Sequence, residues 1–411
     1  MKRRAFLLSG ALALAVLFAV VANAAQNVSP PPLVLISMDA FRWDYCALHP
    51  AETPHLRELM RTGVTARALL PVFPSNTFPN HYTLVTGLYP SHHGIINNRM
   101  FDAASGEFFD SHQVRAVGNP RWWGGEPIWV TAIKQGGRAA SWFWVGSETE
   151  IKGVRPEIWH LWDPNLSFES RLDELVAWLR RVRGSAPVVA TFYLEEVNSI
   201  GHKFGPDSPE LVAAVQEADA RVGRIEAELH AAGLEPNFVV VSDHGMASIS
   251  TERIVVLDDY LDQKSVQLDF DGPVAGLRPL QGDVDSLLRA LAPLTHAKAY
   301  RAADLPARFH VDPANPRVPP VWIVPDEGWE IYFRSYFSTV RAHFNHGDHG
   351  YDPAFERMHA TFIANGPSFR RGVTIPEVEN IHVYNLLCAA LGLKPAPNDG
   401  DDRLVQSVLR H

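Results

Sequence analysis

Three runs along the chain are apolar almost without interruption, and each stops at polar residues able to do chemistry. Leu33-Val34-Leu35-Ile36-Ser37 leads into Asp39. Val188-Val189-Ala190-Thr191-Phe192-Tyr193-Leu194 leads into Glu195-Glu196-Val197-Asn198, and Phe238-Val239-Val240-Val241 into Asp243-His244-Gly245. Continuous apolar runs, as opposed to alternating ones, predict strands buried on both faces, as in a parallel sheet between helices. In open α/β sheets ligands gather at the carboxyl ends of the strands, which is where these acids and imidazoles fall. Met358 to Ile363 reads as a further strand.

Helical patterns separate these runs. Thr53 is placed to cap Pro54 to Met60, with Gly63 as a stop, and Ser170-Arg171-Leu172-Asp173 resembles a capping box. The helix it opens would bury Leu172, Leu175, Val176, Leu179 and Val182. Ser208-Pro209-Glu210 starts a long helix ending near Gly233, and a last helix runs from Val383. The Trp-rich stretch from Trp122 through Trp129 to Trp144 reads as core strands and packing helices. Strand and helix in alternation predict an α/β fold, a mostly parallel central sheet sandwiched by helices. Residues 251–334 break the rhythm with Asp, Pro and short alternating runs, and are expected to form an inserted smaller subdomain. The catalytic core is then 25–250 and 335–411.

The first 24 residues stand outside this scheme. Lys2-Arg3-Arg4, an apolar run from Ala5 to Val21 and then Ala22-Asn23-Ala24 form an export signal, which implies a periplasmic or secreted protein. No other stretch approaches the length of a membrane span, so no membrane role is expected beyond the signal. Without the leader, 34 basic residues face 46 acidic ones, a balance of −12. That excludes a nucleic-acid scaffold role, which needs a basic stripe, yet leaves room for a phosphate site made positive by metal ions. Two cysteines, Cys46 and Cys388, allow one disulfide and no disulfide framework.

Chemistry concentrates around Phe73-Pro74-Ser75-Asn76-Thr77-Phe78-Pro79-Asn80-His81-Tyr82. Pro79 suits the first position of a helix, which puts Thr77 just ahead of a helix N-terminus, where an anion is favoured. Taken alone, Thr77 reads better as an ordinary capping residue. The strand ends change this by offering Asp39, Asn198 with His202, and Asp243 with His244. His349 belongs to a fourth cluster, with His346 and His343 as further imidazoles. Mixed Asp/His sets suit zinc, and two sets of about three suit a pair of ions clamping the oxygens of a phosphoryl transfer.

The chain resembles the nucleotide pyrophosphatase/phosphodiesterase family of the alkaline phosphatase superfamily. The resemblance is carried by Ser37-Met38-Asp39-Ala40-Phe41-Arg42, by Thr77-Phe78-Pro79-Asn80-His81-Tyr82 with Thr86-Gly87-Leu88-Tyr89-Pro90, and by His93-Gly94-Ile95 to Asn98. It continues in Tyr193-Leu194-Glu195-Glu196 with Gly201-His202, Ser242-Asp243-His244-Gly245-Met246 and His349-Gly350-Tyr351-Asp352. It implies that Thr77 is a nucleophile forming a phospho-threonine intermediate. Asp39, Asp243 and His244 would hold one Zn²⁺ at Thr77, and Asn198, His202 and His349 a second. Asn98, with backbone N–H groups near Thr77, would bind a non-bridging phosphate oxygen, and Phe78 would stack a base alongside another aromatic. The implied substrate is a small nucleotide phosphodiester or pyrophosphate, cleaved to release a nucleoside monophosphate. A lipid-headgroup phosphodiester and a phosphomonoester are the alternatives. One position departs from the family pattern: Asn198 stands where an Asp ligand is expected. That replaces a charged ligand by a neutral amide, and admits a third reading, an impaired binder of phosphorylated ligands.

Overall fold

The computed structural model describes residues 29–184 and 187–410, so the expected export signal lies outside the described residues. Seven strands form the central sheet: β1 (Leu33–Met38), β2 (Val64–Ala66), β3 (Arg138–Trp142), β4 (Val188–Leu194), β5 (Asn237–Val241), β6 (Phe362–Asn365) and β7 (Val373–Ile375). Their order is β7-β2-β6-β5-β1-β4-β3. β6 pairs antiparallel with both neighbours and every other pairing in the sheet is parallel.

Successive residues of a strand face opposite sides, and β1 uses both. Leu33 and Leu35 join one buried cluster, Val34, Ile36 and Met38 the other. On the second side lie α1 (Pro54–Thr62), α3 (Phe168–Arg181) and α5 (Pro209–Ala231). On the first lie α2 (Thr77–Thr86) and α6 (Val383–Ala390), with the buried Trp122, Trp123, Trp129 and Trp144. The helix α4 (Glu196–Phe204) follows β4 directly. This is the α/β sandwich that the apolar runs predict.

Two helix starts differ from expectation. α3 begins three residues early, because Ser167 and not Ser170 is the cap, its Oγ accepting from the Ser170 N–H at 3.1 Å. α2 begins at Thr77, with Asn76 extended ahead of it (φ −107°, ψ 156°), so Pro79 is its third residue. The expected strand at Met358 starts later, at Phe362, after a short 3-10 turn over Glu356–Met358. A second sheet, with its own apolar cluster, is antiparallel and consists of Val266–Phe270, Ala275–Pro279, Val321–Pro325 and Ala297–Arg301 in that order. Cys46 and Cys388 are both buried and unpaired. Among the described residues no helix is long and apolar enough to cross a membrane.

Candidate active site

Register builds the site. β1 lies between β4 and β5, with Ser37 opposite both Tyr193 and Val241, so the three parallel strands end at one level. Asp39 therefore emerges beside the Asp243-His244 turn and beside α4, which carries Asn198 and His202. After Asp39 the chain turns through Ala40 at φ 57°, a left-handed conformation seldom taken by a residue with a Cβ. That turn aims the Ala40 N–H at Asp243 Oδ1, 3.2 Å away. Gly245 lies so close to the segment before β6 that an added Cβ would sit 2.1 Å from the Arg357 carbonyl. His349 arrives from a two-residue strand, Gly347–Asp348, paired antiparallel with Ala247–Ser248. At Gly347 a Cβ would meet the Gly201 carbonyl at 2.5 Å, so only glycine lets this strand pack on α4.

The imidazoles are oriented from behind, each by a carbonyl that can only accept. His244 Nδ1 lies 2.9 Å from the Gly245 carbonyl, His202 Nδ1 2.9 Å from that of Gly347 and His349 Nδ1 3.1 Å from that of Ser75. Each Nδ1 thus carries a proton, which leaves Nε2 as the nitrogen able to offer a lone pair to a cation, the arrangement of a metal-binding histidine. His244 Nε2 lies 3.3 Å from Thr77 Oγ1, 3.0 Å from Asp243 Oδ2 and 3.6 Å from Asp39 Oδ1. The rings of His244 and His349 stack at 3.6 Å, and those of His349 and His202 lie 5.1 Å apart.

Three oxygens in this cluster are buried and make no well-directed hydrogen bond among the described residues: Asp39 Oδ1, Asn198 Oδ1, and Asp243 Oδ2, which has only the His244 and His81 imidazoles beside it at 3.0 and 3.1 Å. Burying such atoms unsatisfied is unfavourable, and oxygen atoms beside imidazole lone pairs are the donor set of a divalent cation. The site residues therefore fit a divalent metal cofactor. The charge balance among these groups agrees. Burial and the neighbouring Asp243 charge push Asp39 up to about 6. Burial opposes ionisation of Asp243 as well, but His244 and His81 hold it well below the usual carboxylate range. Burial would lower His244, yet the Asp243 carboxylate outweighs it and lifts His244 to about 9. Burial, with the His244 and His202 charges, pushes His349 well down. A proton on His244 thus neutralises carboxylates that a dication would otherwise satisfy.

Thr77 opens α2 at its N-terminus. The Phe78 N–H is capped from another segment by Asn98 Oδ1 at 2.9 Å, which turns the Asn98 amide nitrogen away from the helix. Asn98, Thr77 and Phe78 all line a cavity of about 640 Å³ together with Asp39, Asn198, His202 and His349. Phe78 packs edge-on against Phe109 at 5.9 Å. The cavity walls add Val114, Val117, Phe143, Val145, Leu161 and Trp162, and no Lys or Arg is among the lining residues. Asp243 and His244 lie beneath it, fully buried. His343 and His346, the further imidazoles expected from sequence, are exposed and line no part of this cavity.

A family model for type I phosphodiesterase / nucleotide pyrophosphatase matches residues 33–352. The chain belongs to that family. Among relatives of this family member is the venom phosphodiesterase of Macrovipera lebetinus, 38% identical over 392 residues, 92% of this chain and 45% of the relative. Human ectonucleotide pyrophosphatase/phosphodiesterase family member 1 is 36% identical over 394 residues, 93% of this chain and 42% of the relative. The chain thus spans less than half the length of these relatives. In structure it superposes on murine ectonucleotide pyrophosphatase/phosphodiesterase 5 with a TM-score of 0.85 and 34% identity, covering 92% of this chain and 100% of that one. An inactive form of the murine protein in complex with AMP gives 0.86, with the same identity and coverage.

Several residues of this family member's site escape a reading of sequence alone. His81, one turn after Thr77, puts Nδ1 3.0 Å from the Thr77 carbonyl and 3.1 Å from Asp243 Oδ2, while Nε2 lies 2.8 Å from Ser37 Oγ. Asp39, His81 and Asp243 form a possible metal group by proximity. Both His81 nitrogens are engaged, however, so His81 is placed to orient its neighbours and not to hold an ion. Tyr193 donates its hydroxyl to Asp39 Oδ2 at 2.5 Å. Trp162, 57% exposed and held by Glu195 through its indole N–H at 3.0 Å, supplies a further aromatic to the cavity lined by Phe78. The strand-end rule signals Tyr193, but no local pattern marks Trp162.

Proposed function

We propose that this chain is a two-zinc hydrolase that cleaves nucleotide phosphodiesters and pyrophosphates through a covalent phosphothreonine at Thr77, releasing a nucleoside monophosphate. One observation carries the reading: Thr77 Oγ1 sits at a helix start beside unpartnered buried oxygens and Nε2 lone pairs. Asp39, Asp243 and His244, with Thr77, would hold one ion, and Asn198, His202 and His349 the other. When bound, the ions supply the Lewis acidity that a threonine hydroxyl and a hydrolytic water need near neutral pH, and the positive charge that a phosphate needs in a cavity without Lys or Arg.

The remaining work belongs to side chains. Thr77 Oγ1 attacks phosphorus, the bond to the leaving oxygen breaks, and the nucleoside phosphate is left esterified to Thr77. Water then cleaves that ester, so one water is consumed and the threonine hydroxyl is restored. Asn98, its oxygen engaged by the Phe78 N–H, turns its amide N–H groups to a non-bridging oxygen, beside the Thr77 N–H of the helix start. His81 fixes both Thr77 and Asp243. Phe78 and Trp162 offer faces for a base.

A singly charged diester suits such a cavity better than a doubly charged monoester, because no cationic side chain meets the extra charge. The AMP complex of the murine relative supports a nucleotide product. The leader, with relatives named as venom and ecto-enzymes, supports export to the periplasm or outside the cell. Turnover of a bis-aryl and a mono-aryl phosphate, measured with zinc content per chain, tests the proposal. Two ions and a strong preference for the diester are expected. Preference for the monoester would make the chain a phosphomonoesterase, and one ion without turnover would make it a phosphate-ligand binder.

A further inference from the structure

The two proposed ligand sets differ in charge. Asp39 and Asp243 bring two carboxylates to the first, whereas Asn198, His202 and His349 bring none to the second. A dication there has no formal counter-charge among its ligands, although Asn198 Oδ1 is buried and free to coordinate. One carboxylate flanks this set from outside the Thr77 cavity, that of Asp348. Its Oδ1 lies 3.9 Å from His202 Nδ1 and accepts the His349 N–H at 2.8 Å. His202, Asp348 and His349 together form a possible metal group. Since His202 Nδ1 donates to the Gly347 carbonyl, Asp348 lies on the side of that ring remote from the Nε2 lone pair. It lines a separate cavity of about 130 Å³ with Tyr332, His343 and Asn345, not the cavity of Thr77.

The surroundings of Asp348 offer it no other use. Its side chain is 18% exposed, and among the described residues no Lys or Arg nitrogen lies within 4.0 Å of it. Glu330, near enough for the two carboxyls to repel, is fully buried and bonded to the hydroxyls of Tyr332 at 2.9 Å and of Tyr351. A carboxylate left beside two imidazoles and a second buried carboxyl needs positive charge close by.

We propose that Asp348 is a positioning residue that supplies, from behind His202 and His349, the negative charge that Asn198 withholds from the second metal position. The inference rests on the two-ion reading above. The Gly347 carbonyl fixes the His202 ring, and a carboxylate 3.9 Å behind it raises the basicity of the imidazole through space; losing an outer partner of a ligating imidazole typically weakens metal affinity by ~10–100-fold. Asp348 also ties the His349 backbone, so it acts on both imidazole ligands at once.

Asp348→Asn tests this, because its amide oxygen still accepts the His349 N–H while the charge is gone. Stepwise zinc affinities of the metal-free protein would be measured by competition with a chromogenic chelator, for wild type, D348N, N198D and the double variant. The first affinity should be the same in all four. The second should fall ~10–100-fold in D348N, rise in N198D together with turnover, and depend less on residue 348 once Asp occupies 198. Asp348→Glu, which keeps the charge, should retain most of the affinity and separates charge from any loss of fold in D348N. An unchanged second affinity in D348N, or equal losses in D348N and D348E, overturns the inference. A wild-type protein that binds fewer than two zinc ions at saturation overturns the two-ion reading itself, whatever residue 348 does.

Discussion

Asn98 makes two separable contributions, and substitutions pull them apart. Its Oδ1 caps the Phe78 N–H at 2.9 Å, and its Nδ2 is left for phosphate. Asn98→Ala removes both. The orphaned helix-start N–H should lower stability by ~1 kcal/mol, and the lost donor should lower kcat by ~10²–10³. Asn98→Asp keeps an acceptor for Phe78, and a negative charge at a helix N-terminus is favourable, so stability should match wild type. Its second oxygen now faces phosphate as an anion. At ~3 Å and an effective dielectric near 20, that repulsion reaches an upper bound of ~5 kcal/mol. The aspartate variant should therefore be the more stable of the two and the less active. The assay is kcat and KM on a bis-aryl phosphate at saturating zinc, with thermal unfolding of the same samples. An Asp variant as active as wild type, or an Ala variant whose loss lies wholly in KM, would refute the assignment of Nδ2 as a donor to the transition state.

Two further outcomes follow from the cavity walls. Burial lifts Glu148 to about 7, so the folded protein holds a proton there that the unfolded chain releases near 4.5. That contribution to stability is complete below pH 4.5 and is lost as pH rises through 7. Glu148→Gln should accordingly stabilise the protein at pH 8 by up to ~3 kcal/mol and flatten the stability profile between pH 4.5 and 7 in denaturant titrations; an unchanged profile would contradict it. Trp162→Ala should raise KM for a nucleotide diester by about fivefold, the lower end of aromatic–base stacking, with a smaller change in kcat, as initial-rate kinetics would show.

The parts of the site visible from sequence are those governed by strand ends. A fully apolar run followed by Asp, or by Asp-His-Gly, carries its own location, because parallel strands of one sheet finish at one level. Asp39, Asp243 and His244 meet for that reason, and α4 follows β4 closely enough to add Asn198 and His202. Helix starts were less legible. Three residues separate Ser167 from Ser170 and either could cap, while Pro79 is tolerated at the third helical position as well as the first. Residues that act across the fold left no local trace. Asn98 caps a helix 20 positions earlier in the chain. His81 reaches Asp243 from 162 positions away, and Asp348 meets His202 only because Gly347 packs against Gly201.

Acid quenching during turnover tests the central claim most directly. The protein would be mixed with an excess of nucleotide diester at saturating zinc, stopped in acid within milliseconds to seconds, digested and analysed by mass spectrometry. A nucleoside phosphate should appear on the peptide carrying Thr77, reach a steady level and vanish once substrate is exhausted. In Thr77→Ala, zinc should still bind, and both the adduct and turnover should be lost. Rapid turnover with no adduct at any quench time, or a Thr77→Ala protein that still hydrolyses the diester at a comparable rate, would contradict a threonine nucleophile.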